Sequence, residues 1–294
     1  MMKMLSNLSG KTKLRLKSLI SAVGLMPIAR VIYRRQYGMS HYADKIAFIK
    51  RWAWLDTEDS NFYYRLTEMN RDQLAQTVAT VTGVTPTQVL GYFAELEGDD
   101  RLREHIKSGI SSARYGRDIR VEFGRRLGWY AFIRVLKPRV VIETGVDHGV
   151  GACVITSALM MNASEGKEGR YYGTELRPDA GKLLSGDYAR FGQVLYGDSI
   201  ETLQKFDQPI DIFINDSDHS ADYEYREYQV ILDKLAPESL ILGDNSHATD
   251  KLSRFSAEQQ RSFLFFAEKP LDHWYPGAGI GISFRRGVAS QVAC

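Results

Sequence analysis

Only two cysteines occur in the 294 residues, Cys153 and Cys294. So few cannot build a disulfide framework, neither stands in a metal-ligand cluster, and the usage suits a reducing compartment. Long apolar runs are missing as well. Nothing approaches the ~18–20 residues of a membrane span, and the best stretch, Leu19 to Ala29, is short, broken by Pro27 and followed by more arginine. It also lacks a convincing signal-peptide cleavage site, so the expected location is cytoplasmic. Asp and Glu are absent from residues 1–37, which carry eight Lys/Arg; with the whole chain at a formal +2, the remainder carries −6. An acidic body argues against a nucleic-acid enzyme, which would spread basic surface around its active site. Internal repeats and low-complexity linkers are absent too.

What remains, 44% hydrophobic and 25% charged, is enough for one full α/β domain with accessory segments. Residues 1–37 read as a basic amphipathic arm, with Leu16, Leu19, Ile20 and Val23 on one side of a helical wheel and Lys11, Lys13, Arg15 and Lys17 over the rest. Such an arm either docks peripherally on an anionic membrane surface at its inner face or packs on a partner subunit. Residues 38–125 read as a helical cap. Leu74, Val78 and Val81 have helical spacing ending near Gly83, and Thr85-Pro86-Thr87 forms the cap and first turn of the next helix.

Residues 126–294 alternate strand and helix, as a Rossmann-like, doubly wound and mostly parallel sheet requires. Seven strands are expected at 139–144, 170–175, 193–197, 210–215, 239–243, 262–268 and 279–285. The last two have no room between them for a crossover helix, so an antiparallel final strand is expected. The organising stretch is RVVIETGVDHGVG, Arg139 to Gly151, a β-branched run that ends in Glu143-Thr144 and opens into Gly145, Gly149 and Gly151. Its spacing differs from the dinucleotide Gly-x-Gly-x-x-Gly pattern. It resembles the first motif of class I S-adenosylmethionine-dependent methyltransferases, in which the loop wraps the methionine part of the cofactor. The alternative is a turn that only joins strand to helix. Glu175, ending the second strand, stands near the position where such folds place a carboxylate on ribose hydroxyls. Asp198 and Ser199, after the third strand, match where the class often contacts the adenine amine.

The fourth strand ends in Asn215-Asp216-Ser217-Asp218-His219 and the fifth in Asp244-Asn245-Ser246-His247. Open α/β folds bind ligands at this carboxyl edge. Asp216, Asp244 and Asn245 would converge there as three oxygen ligands, a hard set suited to Mg²⁺ or a related divalent cation; the alternative is that they cap the following helices. With these runs placed, residues ~120–286 resemble cation-dependent O-methyltransferases, in particular the branch acting on macrolide sugars, and more distantly the catechol and caffeoyl-CoA types. The resemblance implies Asp216 on the metal and His219 as general base through the shared Asp-x-x-His spacing. His247 is the competitor for that role. Asp244-Asn245 is similar to the catechol-type pair, whereas the sugar branch more often has two carboxylates. The implied reaction is methylation of a sugar, glycoside or related small-molecule hydroxyl, and extensions of this kind in similar enzymes imply a homo-oligomer. Asp272-His273-Trp274-Tyr275 offers aromatics suited to a substrate wall or to loop packing. A metal-independent methyltransferase or hydroxylase on the same scaffold, a nicotinamide-dependent oxidoreductase and a non-catalytic membrane-associated binding protein are the other readings.

Overall fold

The computed structural model describes residues 26–55, 60–110, 120–218, 220–244 and 246–285. The chain divides into two units, Met1–Leu55 and Asp56–Cys294. The first contains helices α1 (Met26–Ser40) and α2 (Ala43–Trp52), and α2 buries none of its residues. The amphipathic pattern read at Leu16 to Val23 lies outside the described residues. No described helix is long and apolar enough to cross a membrane.

The second unit begins with a two-residue strand β1 (Arg65–Leu66), then α3 (Glu68–Thr82), α4 (Pro86–Glu97) and α5 (Asp100–Gly109). Their boundaries follow local chemistry. The side chains of Thr67, Thr85 and Asp99 accept the backbone N–H three residues on, and Gly83 ends α3 in the left-handed conformation, at φ +79°. Pro86 opens α4 with a ring already set for helical φ.

From α6 (Arg126–Leu136) onward strand and helix alternate: β2 (Val140–Thr144), α7 (Val150–Ser164), β3 (Arg170–Glu175), β4 (Gly192–Tyr196), α8 (Ser199–Lys205), β5 (Ile210–Asn215), α9 (Ala221–Ile231), β6 (Leu235–Gly243), α10 (Lys251–Glu258), β7 (Ser262–Ala267), β8 (Pro270–Leu271) and β9 (Gly279–Phe284). Seven of these strands form one sheet in the order β4-β3-β2-β5-β6-β9-β7. Strands β2 to β6 pair in parallel, and β9 runs antiparallel to both its neighbours. The seven-stranded sheet and its antiparallel last strand are those expected from the sequence. β6 starts earlier than expected, at Leu235, where its pairing with β5 is irregular between Ile210 and Ile212. The additional pair, β1 with β8, is too short to leave a periodic signature.

The period of two places alternate strand residues in different cores. Val141, Ile212, Ile214, Leu240, Leu242 and Ile282 face α6 and α7, whereas Val140, Ile142, Phe213 and Ile241 face α9 and α10. The accessory helices share the first core: Leu74, Val78, Val89, Phe93, Leu102 and Ile106 are fully buried in one cluster with Trp129 and Phe132. Each such aliphatic or phenyl side chain contributes about 1.5–3 kcal/mol by leaving water.

Candidate active site

The sheet's carboxyl edge opens into a cleft of about 520 Å³. Its shape starts at the loop after β2. Gly145 adopts φ +82°, a conformation that costs an L side chain energy, and donates its N–H to the Thr174 carbonyl at 2.9 Å. A Cβ there would lie 2.1 Å from the Asp216 carbonyl oxygen, so a backbone fits here only without a side chain. Of Glu143, Thr144, Gly145, Gly149 and Gly151, Gly145 alone lines the cleft. Gly149, at φ +98°, precedes α7. Gly151 serves another neighbour: a Cβ would meet Glu143 Oε1 at 2.2 Å. Glu143 is buried and accepts a 2.5 Å hydrogen bond from Tyr171 Oη. Burial pushes its carboxyl up to about 7, against the opposing effects of that bond and the Arg126 charge. Thr144 is buried and donates from Oγ1 to Glu227 Oε2 at 3.3 Å.

Glu175, Asp198 and Ser199 all line the cleft. Glu175 accepts the backbone N–H groups of Asp147 and Arg177 at 2.9 Å each, one per carboxylate oxygen, which leaves acceptor capacity on both. Asp198 caps α8 by accepting from Glu201 N at 3.0 Å and also accepts a hydrogen bond from Tyr223 Oη at 2.7 Å. Burial works to raise its carboxyl, but Tyr223 and the amides of Glu201 and Ile200 outweigh that and hold it below the usual range. Ser199 bonds to Tyr223 Oη at 2.9 Å and to Glu227.

The two candidate metal carboxylates are neighbours because of strand register. Asn215 pairs with Gly243 across β5 and β6, so Asp216 and Asp244 are the next residues on adjacent parallel strands. Each is anchored by one more ladder bond, Asp216 N to Thr144 O at 3.0 Å and Asp244 N to Asn215 O at 2.9 Å. Burial first, and then the Asp244 charge, push the Asp216 carboxyl well above the usual carboxylate range, with Arg125 opposing. His219 and Asn245 lie outside the described residues. His247 is exposed, with Nδ1 3.1 Å from the Asp244 carbonyl oxygen.

Several residues of the site were not read from the sequence. Arg125 is buried just before α6, with Nε 2.5 Å from Asp244 Oδ1 and Nη1 3.5 Å from Glu268 Oε1. Nη1 also donates to Tyr64 Oη at 2.9 Å, and that hydroxyl donates to Glu268 Oε2 at 2.6 Å. Arg126, beside it, also lines the cleft. Glu227 of α9 sits beneath the strand ends, accepting from Thr144, Ser199, Asn215 and Ser217. The aromatic run 272–275 packs on Tyr64, with ring centroids of His273 and Tyr275 at 5.5 and 5.7 Å, and does not line the cleft.

The donor set fits a hard divalent cation. It is all oxygen, and it brings two carboxylates together at adjacent strand ends. The described residues form no cluster of three His, Cys, Asp or Glu that could hold a metal; the third donor read from the sequence is Asn245.

The strand order and the glycine turn define a class I methyltransferase fold. Residues 142–246, which span the glycine loop and the ends of the fourth and fifth parallel strands, match the family model described as a methyltransferase domain. No curated protein matches the chain. Among solved structures, the O-methyltransferase TomG of Streptomyces achromogenes, involved in tomaymycin synthesis and in complex with SAM, is similar over 54% of this chain and 78% of its own, at 14% identity and a TM-score of 0.41. The SAH-bound methyltransferase PaMTH1 of Podospora anserina is similar over 77% and 100%, at 16% identity and 0.40. The O-methyltransferase of Bacillus cereus in complex with SAH is similar over 75% and 92%, at 12% identity and 0.38.

Proposed function

We propose that the protein transfers the methyl group of S-adenosylmethionine to a hydroxyl of a sugar, glycoside or related small molecule, assisted by a divalent cation. The observation that carries this reading is the pairing of Asp216 and Asp244 on the cleft wall beside Gly145. Asp216, Asp244 and Asn245 would hold the cation, which when bound acts as a Lewis acid on the acceptor hydroxyl. Glycine at 145 lets the cofactor approach the backbone, Glu175 takes its ribose, and Asp198 and Ser199 lie at the adenine end. The acidic lining suits a ligand with a sulfonium and an ammonium group. In the reaction the acceptor oxygen takes the methyl as the C–S bond breaks, the bonding pair goes to sulfur, and the proton passes to His219, whose spacing from Asp216 supports this role. The protein's main contribution is to hold oxygen, methyl carbon and sulfur in line.

Arg125 favours a second reading, a metal-independent methyltransferase in which the guanidinium beside Asp244 supplies the local positive charge. Chelation separates the two. Enzyme stripped with EDTA should lose transfer of labelled methyl to glycoside and catechol acceptors and regain it with Mg²⁺. Full activity after stripping would exclude the cation and leave the Arg125 reading.

A further inference from the structure

Ten of the eighteen large apolar side chains that are exposed among the described residues fall between Ile28 and Leu55, in the unit that contributes no residue to the cleft. Single exposed apolar residues need no explanation, but so many in two short helices do. Ile28, Val31 and Tyr37 are 57%, 66% and 59% exposed, and Trp54, just past α2, is 91% exposed. Pro27 to Ser40 of α1 are exposed apart from the half-buried Ala29, and α2 buries none of its residues.

The pattern along α1 narrows what such a surface meets. With about 3.6 residues per turn, Ile28, Ile32 and Met39 share one face with Val31 at its edge, while Arg30, Arg34, Tyr33 and Tyr37 occupy the opposite side. The Tyr33 and Tyr37 rings lie 6.0 Å apart, centroid to centroid. Charge is nearly of one sign: residues 26–55 hold Arg30, Arg34, Arg35, Lys45, Lys50 and Arg51 against Asp44 alone, 6 − 1 = +5. A second copy of this face would therefore meet it with like charge, and a specific protein partner is registered by charges of both signs. A lipid surface asks only for apolar side chains to insert, aromatic rings at the boundary and an excess of positive charge.

We propose that α1 and α2 dock on an anionic lipid surface, with Ile28, Ile32 and Met39 inserted at the boundary between headgroups and acyl chains. Co-sedimentation of the full chain with vesicles of phosphatidylglycerol and phosphatidylcholine, against phosphatidylcholine alone, tests it. Binding should need the anionic lipid and weaken as salt rises. Arg30→Gln, Arg34→Gln and Arg35→Gln together should lower the partition coefficient by roughly 100-fold, about 5-fold per charge removed. Ile28→Ser with Ile32→Ser should lower it as well, which separates insertion from a purely ionic attraction. Both sets of side chains are exposed, so the melting temperature should stay that of wild type. Equal binding to the two vesicle types, binding to neither, or arginine variants that bind as wild type does would overturn the proposal. If the wild type ignores vesicles and instead forms an oligomer that these variants dissociate, measured by gel filtration with light scattering, the occupant of this face is a second copy and the proposal falls.

Discussion

The glycine loop offers a test in which two superficially equal substitutions should part company. Gly145→Ala and Gly149→Ala both place an L side chain at positive φ, +82° and +98°, and both incur the roughly 1–2 kcal/mol of the left-handed region. Their surroundings differ. At Gly149 the nearest atom to a Cβ is Leu183 Cβ at 3.3 Å, which a small adjustment relieves; at Gly145 it is the Asp216 backbone oxygen at 2.1 Å. Backbone at the end of β5 cannot rotate away as a side chain does, so either the loop or Asp216 must move by roughly 1 Å to reach ordinary contact, and a displacement of that size can cost on the order of 10²-fold in turnover. We therefore expect Gly149→Ala to lower thermal stability modestly and keep S-adenosylhomocysteine binding. Gly145→Ala should lose more stability and most of both binding and methyl transfer. Melting curves, calorimetry and a radiolabel transfer assay report the three quantities. If the two variants behave alike in all of them, the loop is not braced against Asp216 and the argument fails.

Glu227 gives a pH-dependent prediction. Burial pushes its carboxyl from the usual 4.5 up to about 7, despite bonds from Ser199, Ser217, Thr144 and Asn215 that pull it down. The folded state holds the proton more tightly, so the stabilisation is complete below pH ~4.5 and is lost as pH rises through ~7, up to about 3 kcal/mol. Glu227→Gln should flatten that fall in denaturant titrations between roughly pH 5 and pH 8, and an unchanged slope would remove Glu227 as its source. Arg125→Met should destabilise by about 3–5 kcal/mol, the cost of leaving a buried ion pair half-made, because Asp244 and Glu268 lose their shared guanidinium. If Asp216 and Asp244 hold a cation, Mg²⁺ should raise the melting temperature of this variant more than that of wild type; equal shifts would count against those ligands.

How much could be read in advance depended on how local the cause was. β2 and β5 were legible because β2 is buried along all five of its residues and β5 along five of six, which leaves a compositional mark, and the glycine and the carboxylate that follow them stand at the sheet edge where ligands bind. The caps at Thr85 and Gly83 were legible for the same reason. Arg125 was not, since the groups that hold it come from Tyr64, Asp244 and Glu268, between 61 and 204 residues apart in sequence among their mutual hydrogen bonds. Glu227 sits in ADYEYREYQVI, which reads as a polar helix, yet it is fully buried because four donors at the strand ends converge on it. Gly151 looked like a ligand-facing glycine, whereas its missing side chain makes room for the Glu143 carboxylate.

The charge of the cleft follows from the same topology and bears on turnover. Parallel strands end side by side, and here Glu175, Asp216 and Asp244 terminate or immediately follow three of them, so the fold concentrates negative potential where water is partly excluded and charges act strongly. In the proposed reaction the bound cofactor begins with a positive sulfonium and ends as a neutral thioether. An acidic cleft therefore holds the methyl donor more tightly than the spent product, which favours exchange after each transfer.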